Sequence, residues 1–220
     1  MRIPRLYAIA DSGALAKAGL GLREYAEGLA AAGVTLVQYR DKDAGPQTIL
    51  RNAAVIAQAF SGSGAALILN DRADLAVLAG WDGVHVGQGD LPPEDAKRVL
   101  AASEIPRLRS ETWGTQTVGV STHTEAQVVT SDASVADYVA IGPVFATGTK
   151  PDASPVVGSE GVRRARALTR KPLVAIGGIT RENARSVIEA GADTVAVIGG
   201  LLVAGETVEK VARDFLEILR

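Results

Sequence analysis

The chain has no cysteine, one methionine and two histidines, and aromatic residues make up only 4% of its 220 positions. Without cysteine there is no disulfide, no thiolate metal ligand and no thiol nucleophile, and the composition suits a reducing compartment. Two histidines cannot build a His-rich metal cluster. A formal net charge of -2 argues against a nucleic-acid binder held by a global basic surface, so any cation cluster must be local. No apolar run approaches the roughly 20 residues of a membrane span. The opening Met1-Arg2-Ile3-Pro4-Arg5 leads straight into a short apolar strand rather than a signal segment. The expectation is a cytoplasmic enzyme acting on small molecules, with no nucleic-acid or membrane partner. Its oligomeric state is open, a homo-oligomer included.

What the chain does have is aliphatic: hydrophobic residues reach 47%, carried by Ala, Val, Leu, Ile and, beside them, Gly. That diet suits parallel strands buried on both faces and packed closely against Ala-rich helices. Short apolar runs recur as strands: Leu6 to Ala10, Thr35 to Gln38, Ala66 to Leu69, Gly83 to Val86, Thr117 to Val120, Tyr138 to Ile141, Pro172 to Ile176 and Thr194 to Ile198. Helical patterns separate them: about Leu22 to Ala32, Gln47 to Phe60, a short one to Ala79, Pro92-Pro93 to about Ala102, one opened by the capping-box pair Thr124 and Gln127, Ser159 to Thr169, one closed by Gly191, and a last one through Arg220. Residues 103–116 are polar and aperiodic, a long connection on the rim away from the site. Eight strict strand-helix alternations in a chain this short predict one α/β domain over residues 1–220, a (β/α)8 TIM barrel. The turn after the first strand lacks the Gly-x-Gly-x-x-Gly of a doubly wound dinucleotide fold.

In such a barrel the strand-to-helix turns converge on one rim. Gln38-Tyr39-Arg40-Asp41-Lys42 places an amide and two cations where the second strand ends, which points to an anionic substrate, a phosphate or diphosphate. Alone, Arg40 and Lys42 read equally well as solvated charges. Asn70-Asp71 after the third strand and Gly87-Gln88-Gly89-Asp90 after the fourth add two carboxylates. Each aspartate could simply cap a helix. Together, beside Arg40 and Lys42, they suit Mg²⁺, which is held by one or two carboxylates plus substrate phosphate oxygens. The loop 142–157, with Thr147, Gly148, Thr149 and Lys150, is long enough for a lid carrying phosphate ligands. Gly177-Gly178 and Gly199-Gly200 sit at the usual barrel phosphate site, where backbone N–H groups approach an anion. Two anion sites, one with a metal and one without, imply a two-substrate transfer. His85, mid-strand between valines, reads as an interior hydrogen-bonding residue, and His123 needs no special role.

Taken in order, Gln38-Tyr39-Arg40-Asp41-Lys42, Asn70-Asp71, Gly87-Gln88-Gly89-Asp90, Ser121-Thr122-His123-Thr124, Gly142-Pro143-Val144-Phe145, Thr147-Gly148-Thr149-Lys150, Gly177-Gly178-Ile179-Thr180 and the last glycine turn resemble the thiamine phosphate synthase family across essentially the whole chain. The resemblance implies a transferase that condenses hydroxymethylpyrimidine diphosphate with hydroxyethylthiazole phosphate through a dissociative, carbocation-forming substitution. It implies that Gln38, Arg40, Lys42, Asn70, Ser121 and Lys150 hold the pyrimidine diphosphate, with Arg40, Lys42, Ser121 and Lys150 as catalytic groups. Asp71 and Asp90 would hold Mg²⁺, and Thr147, Thr149, Gly178, Ile198 and Gly199 the thiazole phosphate. Tyr39, Asp41 and Gly148 are carried in the same motifs as substrate-binding positions. Two departures stand out: Ala146 replaces a common proline in the lid, and the 103–116 connection is longer than usual. A thiazole tautomerase or a non-catalytic thiazole phosphate-binding paralogue is the alternative, which retention of Arg40, Lys42, Asn70, Asp71 and Asp90 counts against.

Overall fold

The computed structural model describes residues 3–102, 116–148 and 155–220. Eight parallel strands close into a barrel in sequence order: β1 (Leu6–Asp11), β2 (Leu36–Arg40), β3 (Ala66–Asn70), β4 (Gly83–Val86), β5 (Thr117–Thr122), β6 (Tyr138–Ile141), β7 (Leu173–Ile176) and β8 (Thr194–Val197), with β8 pairing back onto β1. The helices are α1 (Ser12–Ala18), α2 (Leu22–Ala32), α3 (Pro46–Ala59), α4 (Ala73–Leu78), α5 (Pro93–Ala101), α6 (Glu125–Ala133), α7 (Gly158–Leu168), α8 (Ala184–Glu189) and α9 (Val208–Ile218), with a 3-10 turn at Gly199–Leu201 after β8. The barrel reading therefore holds, strand for strand. Among the described residues no helix is long and apolar enough to cross a membrane.

The punctuation behaves as the residue types dictate. Gly33 and Gly191 take left-handed φ values of 83° and 109°, where an L side chain is strained, and each ends a helix just before a strand. Thr124 and Gln127 form a reciprocal capping box on α6. One element is additional to the sequence reading, which takes Asp11-Ser12-Gly13 as a strand end and starts the next helix at Leu22. Asp11 is instead the N-cap of α1, its carboxylate accepting from the Ala14 N–H at 2.8 Å. The cap and the Ala-rich run behind it make a helix of seven residues that stops at Gly19. The connection 103–116 lies, but for Gln116, outside the described residues.

Two apolar layers follow from the strand alternation. Outward residues such as Val37, Tyr39, Leu67, Leu69, Val84 and Val118 pack against the helices. Inward residues fill the lumen: Tyr7, Ile9, Leu36, Ala66, Ile68, Tyr138, Ala140, Val174 and Ala196. The lumen is a packed core of large and small side chains in register. Tyr138 fits because Gly119 on the paired strand has no side chain; a Cβ there would overlap the phenol ring.

Candidate active site

Pairing register decides which predicted residues meet. On β2, Gln38 and Arg40 point into the lumen while Tyr39 points out, since the side-chain period is two. Tyr39 is buried under the helices, its hydroxyl bonded to Ser12, Asn52 and Asp41. Asp41 also accepts from the Asp43 and Ala44 N–H groups, which leads the chain towards α3. Tyr39 and Asp41 thus serve the β2–α3 turn, and the structure does not bring them to the other site residues.

Gln38, Arg40, Asn70 and Ser121 do meet, around a narrow cleft of about 30 Å³ at the lumen mouth that Tyr7 and His85 also line. Below them runs a hydrogen-bonded chain across the barrel. The Gln38 amide donates to the Tyr7 hydroxyl at 2.8 Å, Tyr7 and Tyr138 share a bond of 3.0 Å, Tyr138 reaches His85 Nδ1 at 2.9 Å, and His85 Nε2 reaches Ser121 Oγ at 2.8 Å. Burial raises both phenols well above the ordinary tyrosine value, so both stay protonated. His85 is thus held at both ring nitrogens, by Tyr138 at Nδ1 and by Ser121 at Nε2. His85 is an interior hydrogen-bonding residue, and Gln88 fixes the same strand end by donating to the Ser121 carbonyl at 2.7 Å.

Beside this cleft lie the two aspartates, and neither caps a helix: α4 is preceded by Arg72 and α5 by Pro92. Asp71 has a left-handed backbone, φ 62°, held by its N–H donating to the His85 carbonyl at 2.7 Å. Its carboxylate pairs with Lys42 and lies within hydrogen-bond reach of Asp90. Asp90 accepts from the Gly87 N–H at 2.8 Å, closing the turn after β4. Burial raises Asp71 above the ordinary aspartate value, Lys42 pulls it back and Asp90 pushes it up again. Burial also acts on Asp90, but hydrogen bonds from Asp71 and the Gly87 N–H outweigh it and hold that carboxyl low. As a pair they attract one positive charge, and the Lys42 ammonium supplies it. Two neighbouring carboxylates, one of them already holding a cation, fit Mg²⁺, which needs no third protein carboxylate when a substrate supplies phosphate oxygens. Among the described residues no group of three or more His, Cys, Asp or Glu could hold a metal without such help.

A second, larger pocket of about 560 Å³ opens over the carboxyl ends of β5 to β8. Thr147, Gly148, Gly178, Ile198 and Gly199 line it, with His123 and Arg181 at its wall. The described start of the loop 142–157 is pinned: the Val144 and Phe145 N–H groups donate to the Ile176 and Gly177 carbonyls, and His123 Nδ1 bonds the Gly142 carbonyl at 2.6 Å. Gly177 and Gly178, with φ of 104° and 65°, let residues 143–146 pack directly on the β7 turn, where any Cβ would collide. Thr149 and Lys150 lie outside the described residues. The two pockets share a wall of Ser121, Ala140, Ile176, Ala196 and Ile198.

Sequence reasoning misses three contributors. Tyr7 and Tyr138 look like ordinary strand aromatics, and only the barrel register brings their hydroxyls together. Asp11 carries the same signal as Gln38 and Arg40, a polar residue closing an apolar strand, yet reads as a mere terminator. It is 4% exposed and ion-paired to Arg40.

Residues 6–201 match the family model described as thiamine monophosphate synthase. The chain is 48% identical over 221 residues to the thiamine-phosphate synthase of Koribacter versatilis, covering 100% of this chain and 97% of that one. It is 38% identical over 210 residues to the thiamine-phosphate synthase of Chloroflexus aurantiacus, covering 96% and 90%. Its fold superposes on thiamine phosphate pyrophosphorylase from Pyrococcus furiosus with a TM-score of 0.80 and 28% identity, covering 98% and 95% of the two chains. The chain belongs to the thiamine monophosphate synthase family.

Proposed function

We propose that the protein is the transferase that joins hydroxymethylpyrimidine diphosphate to hydroxyethylthiazole phosphate, giving thiamine phosphate and diphosphate. The observation that carries this reading is the shared wall: a cation-and-carboxylate cleft and a larger glycine-lined pocket meet at Ser121, Ala140, Ile176, Ala196 and Ile198. Two anionic substrates bound from either side would bring their reacting carbon and nitrogen together over apolar side chains, where water is scarce.

Arg40 and Lys42 would bind the diphosphate, Gln38 and Asn70 the neighbouring polar edge of the pyrimidine, and Ser121 a group at the junction. The internal chain of Tyr7, Tyr138 and His85 fixes Gln38 and Ser121 before substrate arrives, so their orientation is set in advance. Thr147, Thr149 and the backbone at Gly178, Ile198 and Gly199 would hold the thiazole phosphate, with Lys150 as a further ligand of the diphosphate. Arg40 and Lys42 face three carboxylates, Asp11, Asp71 and Asp90, so the cleft alone is not cationic enough for a diphosphate. Asp71 and Asp90 would hold a magnesium ion, which when bound neutralises diphosphate oxygens as the leaving group departs. Departure of diphosphate leaves a cation on the pyrimidine methylene carbon, the thiazole nitrogen donates its lone pair to that carbon, and no protein base is required. Isomerisation of a thiazole phosphate alone would leave Arg40, Asn70 and Asp90 without a use.

The test is to supply both substrates with and without Mg²⁺ and to measure diphosphate and thiamine phosphate. Metal-dependent formation of both in equal amounts, lost in Asp71→Ala, is the expected result. Tight thiazole phosphate binding with no product would overturn the reading.

A further inference from the structure

In the proposed reaction the ion pair between Asp11 and Arg40 enters only as a charge offset. Asp11 and Arg40 are partners in the β1–β2 register, at the last position of each strand. The side chain of Asp11 is 6% exposed and that of Arg40 16%. One carboxylate oxygen accepts from the Ala14 N–H at 2.8 Å, and the other accepts from Arg40 Nη1. Around the pair, Tyr25 donates to the Ile9 carbonyl at 3.2 Å, and its phenol, pushed up by burial and further by Asp11, stays neutral. The carboxylate is thus anchored on its backbone side by the first turn of α1 and presents one oxygen to the guanidinium.

A buried carboxylate beside an arginine meant for an anion looks counterproductive, because it cancels part of the charge the ligand needs. Geometry supplies the reason for it. A guanidinium is a planar fork of five donors, and fixing one arm fixes the directions of the rest. With Nη1 taken by Asp11, the directions of the remaining donors are set on a side chain that lines the cleft with Gln38, Asn70 and Ser121. Without that anchor Arg40 would be free to turn towards other carboxylates of the same rim, where a metal needs Asp71 and Asp90.

Resting on the proposed function, we infer that Asp11 is a positioning residue for the transfer reaction: it holds Arg40 in the orientation that receives the diphosphate. Asp11→Asn keeps an oxygen to cap α1 and removes the charged acceptor for Nη1. The experiment compares wild type, Asp11→Asn, Arg40→Gln and the double variant. It reads KM for each substrate, kcat, and calorimetric binding of inorganic diphosphate with Mg²⁺. At metal sites, loss of a group that orients a ligand side chain costs about 10–100-fold in affinity, and the lower end of that range is the expectation for Arg40 and diphosphate. Asp11→Asn should therefore raise the pyrimidine diphosphate KM and weaken magnesium diphosphate binding by about that factor, leaving the thiazole phosphate KM unmoved. In the Arg40→Gln background the same change should do nothing further, whereas a purely structural cap would weaken both backgrounds alike. Should Asp11→Asn not fold, Asp11→Ser caps α1 through its hydroxyl and carries the same comparison. Wild-type binding in the variant, equal losses in both backgrounds, or tighter diphosphate binding from the freed charge would each overturn the inference while leaving the proposed function standing. A wild-type protein that neither turns over nor binds magnesium diphosphate would overturn both.

Discussion

Gly119→Ala tests whether the lumen is as tightly composed as the packing indicates. The change adds one methyl on β5, facing the phenol ring of Tyr138 from inside the 3.0 Å that Cβ atoms keep from their neighbours. The ring cannot retreat easily, because Tyr7 meets it edge-on with centroids 6.1 Å apart and His85 stacks on it at 5.5 Å. Overpacking a well-filled core costs about 1–3 kcal/mol. Displacing the ring also breaks the Tyr138 bonds to Tyr7 and His85, and a buried polar group left unpaired costs about 1–3 kcal/mol. The sum is about 2–6 kcal/mol, centred on about 4. At about 2–4 °C per kcal/mol for a chain of this size, the central value lowers Tm by about 8–16 °C. Thermal unfolding followed by circular dichroism reads this directly. The same substitution in a Tyr138→Ala background should be neutral or stabilising, since the methyl then enters a cavity. A Gly119→Ala protein melting with the wild type, or an equal loss in both backgrounds, would refute the packing argument.

Lys42 stands as the cation on Asp71, so Lys42→Gln should tighten Mn²⁺ binding measured by electron paramagnetic resonance without substrate. With diphosphate present the sign should reverse, because the lysine is then missing as a phosphate ligand; unchanged affinity in both conditions would contradict the assignment. Glu206 is held down to about 2 by hydrogen bonds from Arg181 and Lys210. A depressed carboxyl contributes stability above its unfolded value of 4.5 and loses it as the pH falls towards about 2. Glu206→Gln should therefore flatten the acid limb of a Tm-against-pH curve over that window, and an unaltered limb would count against it.

Most of the architecture can be read from the chain because helix ends and strand ends are written in local chemistry. Gly33, Gly191 and the Thr124/Gln127 pair mark boundaries that the structure reproduces, and eight repeats of that grammar leave few folds. The helix behind Asp11 escapes the reading because Asp-Ser-Gly signals a strand end and a helix cap equally. Site membership is harder, because it depends on which way a strand residue points. Gln38, Tyr39 and Arg40 are adjacent in sequence, yet only the two outer ones enter the lumen. The luminal chain from Gln38 to Ser121 draws on β2, β1, β6, β4 and β5, separations up to 131 residues that no local pattern encodes.

Closure of the barrel by β8 on β1 also sets a constraint in time. The Val195 N–H donates to the Arg5 carbonyl at 2.9 Å and the Thr194 hydroxyl to the Pro4 carbonyl at 2.8 Å, across some 190 residues of chain. The first strand leaves the ribosome long before its outer neighbour exists. At about 5–20 residues per second, translation takes about 10–40 s to reach β8. Through that interval one side of β1 is an unpaired parallel edge, the feature that recruits foreign strands. A stretch made of Leu6, Tyr7, Ala8, Ile9 and Ala10 carries no charge to deter them. The nascent chain should therefore be most vulnerable to aggregation just before its last strand emerges, and truncations ending before Thr194 should depend on chaperones for solubility where the whole chain does not.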